Sequence, residues 1–244
     1  MTTTIVSNGR LCNQIVRNIA VSLIAEKHDL HVKYSSMDLI NDKLGIPLYS
    51  GKHIYKDSVV LDDFNYFPIL QTSTFLHNLN PNIHYFQSTE ISQFINSYLH
   101  REDIKTNIMN KNPFQSRYNK NNDLYVHIRL DDAASFNPGI RYYLNAISKI
   151  KYDNIYISTD EVNHDIIKQI VLTYPHSTII TYDEVKTIQF ASSCKHIILS
   201  HGSFSATIGN LAFFSDIYYP KIDANKTWCG DMFNINGWTK VEDF

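Results

Sequence analysis

Three short segments of this chain combine anion-binding or reactive side chains with small residues where a strand pattern gives way to a helical one. The first is Gly9-Arg10-Leu11-Cys12-Asn13-Gln14. A glycine at such a turn lets the backbone approach a ligand, and a helix N-terminus offers free N–H groups to an anion or a sugar oxygen. The plain alternative is a tight βα turn with Asn13 as the helix cap. The run lacks the three-glycine pattern of dinucleotide sites, which counts against a nicotinamide or flavin enzyme.

The second segment is Val126-His127-Ile128-Arg129-Leu130-Asp131-Asp132. Strand alternation places His127 and Arg129 on one side of the strand at its carboxyl end, where open α/β sheets bind ligands. Arg129 can grip a phosphate with two N–H bonds, and His127 can hold a base or ribose. Equally, Arg129 can form an ion pair with Asp131 or Asp132, and His127 can be a satisfied core histidine. The third segment is Ser200-His201-Gly202-Ser203-Phe204-Ser205. Backbone N–H groups and hydroxyls at a strand-to-helix turn suit a diphosphate, while a helix cap at Ser203 or Ser205 is the plainer reading. A serine hydrolase is the weakest reading, because G-x-S-x-G is not matched and no spacing marks a triad.

The elements that must carry these segments follow from periodicity. In the second half, Leu124–Arg129, Ile155–Ser158, Thr178–Thr181, His196–Ser200 and Ile217–Tyr219 read as strands. Helical patterns lie between them at Tyr142–Ile150, Asp165–Tyr174, Glu184–Ser193 and Ser205–Phe214. Regular alternation calls for parallel strands joined by right-handed crossovers. The first half opens likewise, with a strand at Thr3–Ser7, a turn at Asn8–Arg10 and a helix over Asn13–Lys27 bearing the stripe Val16, Ala20, Leu23 and Ile24. A strand at Leu30–Ser35 follows, then strands at Ser58–Leu61 and Ile83–Phe86 and a helix near Ile91–Leu99. The Asn- and Lys-rich stretch Lys105–Asn122 reads as a linker. The expected fold class is α/β, with two Rossmann-like lobes of parallel sheet facing across a cleft: an acceptor-side lobe over 1–115 and a nucleotide-binding lobe over 116–244.

Length and composition agree with this. The 244 residues suffice for two compact domains. The formal net charge of -2 gives no case for bulk nucleic-acid or anionic-membrane binding. Three cysteines, Cys12, Cys194 and Cys229, form no C-x-x-C pair, which points to a reducing compartment without a disulfide framework or zinc site. No leader pattern or membrane-length apolar run is present, so a soluble, cytoplasmic protein is expected.

Taken in order, the motifs resemble those of the family 11 α-1,2-fucosyltransferases and, more distantly, the α-1,6- and protein O-fucosyltransferases. GRLCNQ is similar to the family's G-G-L-G-N-Q, HYFQS to G-Y-F-Q-S, and HIRLDD to H-x-R-R-G-D. RYYLNAISKI resembles the Y-Y-x-x-A-I helix, YISTDE resembles F-S-D-D, and CKHIILSHGSFS resembles C-x-H-x-I-I-A-N-S-T-F-S. YYPKIDANKTW is similar to a closing Pro-Lys…Trp stretch. The departures are Cys12 for a glycine, Leu130 for a second arginine, Asp131 for a glycine, and Ala206 and Thr207 for a tryptophan pair.

The resemblance implies a GT-B fold and an inverting transfer of L-fucose from GDP-fucose to a glycan hydroxyl, with no metal and no cofactor beyond the donor. On that analogy Arg129 contacts the β-phosphate, and Gly202, Ser203, Phe204 and Ser205 line the diphosphate site. His127 sits by the nucleotide and Asn13 by the donor phosphates or sugar. Asp132 is the candidate base or acceptor-orienting carboxylate, with pairing to Arg129 or a helix cap as its alternative. Asp160 reads as structural or nucleotide-positioning. The absence of any D-x-D, a common metal-diphosphate anchor, agrees independently with metal-free chemistry in which arginine and backbone donors offset the leaving charge. Phe64, Tyr66, Phe67 and Tyr85 are candidates for stacking on acceptor sugars or for core. Two other classes stay open: a glycosyltransferase for a different nucleotide sugar, and a catalytically silent nucleotide- or glycan-binding module.

Overall fold

A computed structural model describes residues 2–221 and 230–241. Contacts divide the chain into two compact units, Met1–Lys111 and Asn112–Phe244.

In the first unit, β1 (Thr3–Thr4) leads into α1 (Leu11–His28), followed by β2 (Val32–Lys33), β3 (Ser58–Val60), α2 (Tyr66–Gln71), β4 (Asn78–Asn80), α3 (Thr89–Leu99) and α4 (Glu102–Lys111). β1 pairs with β2, and β3 with β4, both in parallel. The two pairs are stitched by side chains: Thr3 Oγ1 accepts from Leu79 N–H at 2.8 Å, and Asn82 Oδ1 accepts from Val6 N–H at 3.0 Å. α1 is buried well beyond the expected stripe, taking Gln14, Arg17, Asn18 and Ser22 inside. It ends at Asp29, in the left-handed conformation that stops a helix.

The structure corrects several expectations here. α1 starts at Leu11 with Arg10 in the cap position, so Asn13 lies inside the helix and is not its cap. Ile83–Phe86 is not a strand: Phe86 has φ +56°, which breaks extended backbone, and the strand runs instead over Asn78–Asn80. The first seven residues of the supposed linker belong to α4, whose Ile104 and Ile108 are buried one turn apart while its Asn and Lys residues take the solvent face.

In the second unit, the chain runs β5 (Leu124–Ile128), a short 3₁₀ turn at Asp131–Phe136, α5 (Ile140–Ser148), β6 (Ile155–Thr159), α6 (Asp165–Thr173), β7 (Thr178–Ile179) and α7 (Glu184–Ala191). It ends with β8 (His196–Ile198), α8 (Gly202–Leu211), β9 (Asp216–Pro220) and β10 (Thr239–Val241). One six-stranded parallel sheet results, in the order β10-β9-β8-β5-β6-β7. β5 is buried at all five positions, and Val126 faces Ile157 on one side and Ile198 on the other. The core gathers Leu124, Val126, Ile128, Tyr142, Tyr143, Ile147, Ile157 and Ile170. β10 was not anticipated, since two of its three residues are exposed and its apolar signal is weak. The closing Pro-Lys…Trp stretch is described only to Lys221; residues 222–229 lie outside the described residues.

This strand order carries a consequence for function. After β5 the chain winds outward through β6 and β7, then returns to place β8 on the other side of β5. The carboxyl ends of β5 and β8 therefore flank the point where the winding reverses, the position at which open α/β sheets hold their ligands. No helix among the described residues is long and apolar enough to cross a membrane.

Candidate functional site

The carboxyl ends of β5 and β8 and the turns that follow them carry His127–Asp132 and Ser200–Ser205, so the fold brings together two of the three segments singled out by sequence. α8 begins three residues earlier than expected, at Gly202, with His201 in its cap position and no side-chain cap. Gly202, Ser203, Phe204 and Ser205 are thus its first turn, where backbone N–H groups have no helical acceptor. Gly202 has φ +86°, which favours glycine, and a side chain there would meet nothing within 4 Å. Ser203 and Phe204 are half-buried; Ser205 is fully buried.

Arg129 stands just past the end of β5, its side chain 17% exposed. Its Nε meets Asp160 Oδ2 at 3.1 Å, and an Nη group donates to Asp132, itself 51% exposed. The other Asp160 oxygen accepts Leu130 N–H at 2.7 Å. One carboxylate therefore fixes both the guanidinium and the next peptide. Asp132 takes the ion-pair alternative, spending an oxygen on Arg129. Carboxylate oxygens of Asp131, Asp132 and Asp160 come within 4.8 Å of one another, an acidic cluster into which Arg129 inserts its charge. Leu130, in place of a second arginine, is buried in the core, so that position has no access to a ligand.

The backbone of Arg129 is braced from both sides. Its N–H donates to Ser200 Oγ at 3.2 Å, and its carbonyl accepts from Asn137 Nδ2 at 2.7 Å. Asn137 Nδ2 and Ser200 Oγ also meet the Tyr143 hydroxyl, at 3.0 and 2.9 Å. A closed ring of hydrogen bonds thus holds the Arg129 peptide, and burial keeps the Tyr143 hydroxyl protonated by raising its pKa. Sequence reasoning did not single out Asn137 or Tyr143, and it read Ser200 as part of the diphosphate turn, not as a brace for Arg129. Asn137-Pro138-Gly139 signals a turn, but only the fold shows that its amide reaches back to Arg129.

His127 bonds to the α8 turn, whereas the Arg129 guanidinium is held by Asp132 and Asp160. His127 is buried, its Nδ1 lies 2.6 Å from Ser205 Oγ, and its ring packs 5.0 Å from Phe204. Burial drives its pKa down to about 3, aided by nearby His201 and Arg129, so it is neutral. Ser205 Oγ also accepts Ser200 N–H at 3.0 Å. Ser205 therefore ties the two loops together from within, and Gly202 and Ser203 are left as the more accessible part of the turn. Burial likewise lowers His201, to about 4.

The remaining segment, residues 9–14, lies in the first unit. Gly9, with φ +78°, ends the turn after β1. Asn13 Oδ1 accepts from Gln87 Nε2 at 3.0 Å, and Gln14 Nε2 donates to Gly9 O at 2.9 Å. Arg17, fully buried, donates to His84 O at 3.0 Å and Asn8 O at 3.4 Å, with its guanidinium 4.9 Å over the Tyr85 ring. GRLCNQ and HYFQS, some seventy residues apart, are thus one bonded cluster, with Asn13 half-buried in it. Of the aromatic candidates, Tyr66 is core and donates to Ala20 O at 3.0 Å, while Phe64 is 91% exposed.

No protein-family model matches this chain, and no curated protein does. Among solved structures, the NodZ alpha-1,6-fucosyltransferase soaked with GDP-fucose matches 86% of this chain and 93% of its own, at 11% identity and TM-score 0.49. The E. coli heptosyltransferase WaaC with ADP-2-deoxy-2-fluoro heptose matches 99% and 93%, at 10% identity and TM-score 0.50. At such identity the WaaC likeness speaks for architecture alone, and the chain has the α/β fold of the GT-B class.

Proposed function

We propose that the protein is a glycosyltransferase that draws its sugar from a nucleoside diphosphate sugar, and that the donor is GDP-fucose. The observation that carries this is Arg129, braced at the reversal point of the parallel sheet beside the uncapped first turn of α8. Attack of an acceptor hydroxyl on the anomeric carbon passes through an oxocarbenium-like state while negative charge builds on the departing diphosphate. A fixed guanidinium and free helical N–H groups stabilise that charge most where they are already in place. In this reading Arg129 meets the β-phosphate, Gly202 and Ser203 offer N–H and O–H donors, and His127 backs the nucleotide side through Ser205. The acceptor is a glycan hydroxyl, the linkage α-1,2, the configuration inverted, and the diphosphate is held without metal; these follow the motif resemblance. Asp132 releases Arg129 to the phosphate and then orients the acceptor.

A second reading, transfer from another nucleotide sugar, is favoured by Leu130, which leaves one arginine where the resembled family has two. WaaC, whose fold this chain shares, was solved with an ADP-sugar analogue. Calorimetric titration with GDP, UDP and ADP, each with EDTA and again with Mg²⁺, tests both. Selective, EDTA-insensitive GDP binding that disappears in Arg129→Ala supports the first reading. Selective UDP or ADP binding replaces the donor, and a strict need for Mg²⁺ would assign the Asp131, Asp132 and Asp160 cluster a role in holding diphosphate.

A further inference from the structure

The hydrogen-bond ring around Arg129 has a definite direction, and the direction ends on a group with nothing to bond. Asn137 Oδ1 accepts Gly139 N–H at 2.8 Å, so its amide nitrogen must be the group facing the Arg129 carbonyl and Tyr143. The Tyr143 hydroxyl accepts from that nitrogen, and the assignment that gives its own proton a partner has it donate onward to Ser200 Oγ. Ser200 Oγ then accepts twice, from Tyr143 and from Arg129 N–H, which leaves its own proton for His201 Nδ1 at 3.3 Å. Nδ1 is therefore the bare nitrogen of His201, and the ring carries its proton on Nε2.

That Nε2–H is buried and has no hydrogen-bond partner, in a residue only 6% exposed. The Ala133 carbonyl is near enough to act on the ring but makes no bond of acceptable geometry to Nε2. A buried donor left idle is costly, and folded proteins rarely keep one without a use for it. The ring stands at the cap of the ten-residue helix α8, within the influence of both Arg129 and Asp132.

We propose that His201 is a neutral hydrogen-bond donor whose Nε2–H, set by the Asn137–Tyr143–Ser200 relay, receives an anionic phosphate oxygen shared with Arg129. The proposal rests on the nucleotide-sugar reading and names a further residue of its diphosphate site. An entering phosphate competes with the Asp132 carboxylate for Arg129 and takes up the idle N–H in the same event. No proton is transferred: His201 binds and does not act as a base.

The test uses the full chain with ¹⁵N-labelled histidine and inorganic pyrophosphate as the probe common to every nucleoside diphosphate. In the free protein at pH 7 the His201 ring is expected neutral, with Nε2 protonated and Nδ1 bare. Pyrophosphate is expected to shift the Nε2–H resonance and slow its exchange with water. His201→Ala should weaken pyrophosphate binding about tenfold, the worth of one charge-assisted bond, and His201→Gln, which keeps an N–H donor, should recover part of it. A ring protonated on Nδ1, a charged ring, or unchanged affinity in His201→Ala while Arg129→Ala abolishes binding would overturn the His201 assignment and leave the diphosphate site standing. A wild-type protein that ignores pyrophosphate would overturn both.

Discussion

Each unit places an arginine against the turn that ends its first strand, and the two are used in opposite ways. Arg17 lies wholly inside, under the Asn8–Gly9 turn, giving its N–H groups to the carbonyls of His84 and Asn8 and its face to Tyr85. Burial lowers its pKa, yet an arginine stays charged throughout the working range. Arg129 lies just past the carboxyl end of β5, held by the carboxylates of Asp132 and Asp160, which on the proposed reading an anion displaces. Carbonyls hold a guanidinium without neutralising it, which suits a permanent clamp between two loops. Carboxylates hold a guanidinium in place and yield it to a stronger ligand, which suits a site. The difference teaches that the partner chosen for an arginine, more than its burial, separates framework from function.

Replacing each arginine should therefore fail in its own currency. Arg129→Ala is expected to lower kcat/KM about a thousandfold, the cost of removing a preorganised charge donor at a leaving group. Its thermal midpoint should fall by only a few degrees, because Asp132 is half-exposed and can be solvated while Asp160 loses a largely buried partner. Steady-state kinetics beside a melting curve checks this, and a large loss of stability with modest loss of turnover would erase the contrast.

Arg17→Met is the mirror case. Methionine fills much of the volume but leaves the His84 and Asn8 carbonyls without their donors, at about 1–3 kcal/mol for each buried group left unpaired. Hydrogen exchange on α1 amides should report a loss of about 3 kcal/mol. Both tryptophans, Trp228 and Trp238, belong to the second unit, so their fluorescence transition should stay in place if the units unfold separately. A tryptophan transition that shifts with Arg17→Met would show the two units to be one cooperative block.

Asp160→Asn is a smaller perturbation of the Arg129 side. The amide oxygen can still accept Leu130 N–H, but the charge facing Arg129 Nε is gone. About a tenfold fall in kcat, with donor KM changed less than threefold, is expected of a residue that aims the guanidinium without touching substrate. Equal falls with Asp132→Asn would mean that the two carboxylates share one role.

What could be read from sequence divides along the same line. β5 and β8 stand out because they are short, continuously apolar and followed by small or charged residues, and the ligand edge follows from strand order alone. The first unit was harder to read. Its strands span two or three residues, too few for alternation to show, and Phe86 adopts a left-handed conformation inside an otherwise strand-like run. Arg17 draws no notice in the sequence because nothing local announces carbonyls supplied from His84, 67 positions away. Tyr143 was hidden for the opposite reason: in a helix so apolar its ring is core, and its hydroxyl matters only once Asn137 and Ser200 arrive from other loops.

Titration offers the finest separation of the two arginine regions. His127 and His201, flanking the Arg129 loop, are pushed down to about 3 and about 4, whereas an unfolded histidine titrates near 6.5. Both are thus neutral in the folded protein when the unfolded chain already binds protons. Their contribution to stability is complete above pH 6.5 and is lost as pH falls toward about 4 for His201 and about 3 for His127, at up to about 1.4 kcal/mol per pH unit for each. The tryptophan-reported urea midpoint should drop from pH 7 to pH 5, and His127→Gln should make that drop shallower. Arg17 makes no such contribution, since it holds one charge state in both folded and unfolded chains across this range. If neither histidine is a base, kcat/KM between pH 5.5 and 8 should show no inflection removed by His127→Gln or His201→Gln. An inflection that disappears with either variant would move that histidine from binding into proton transfer.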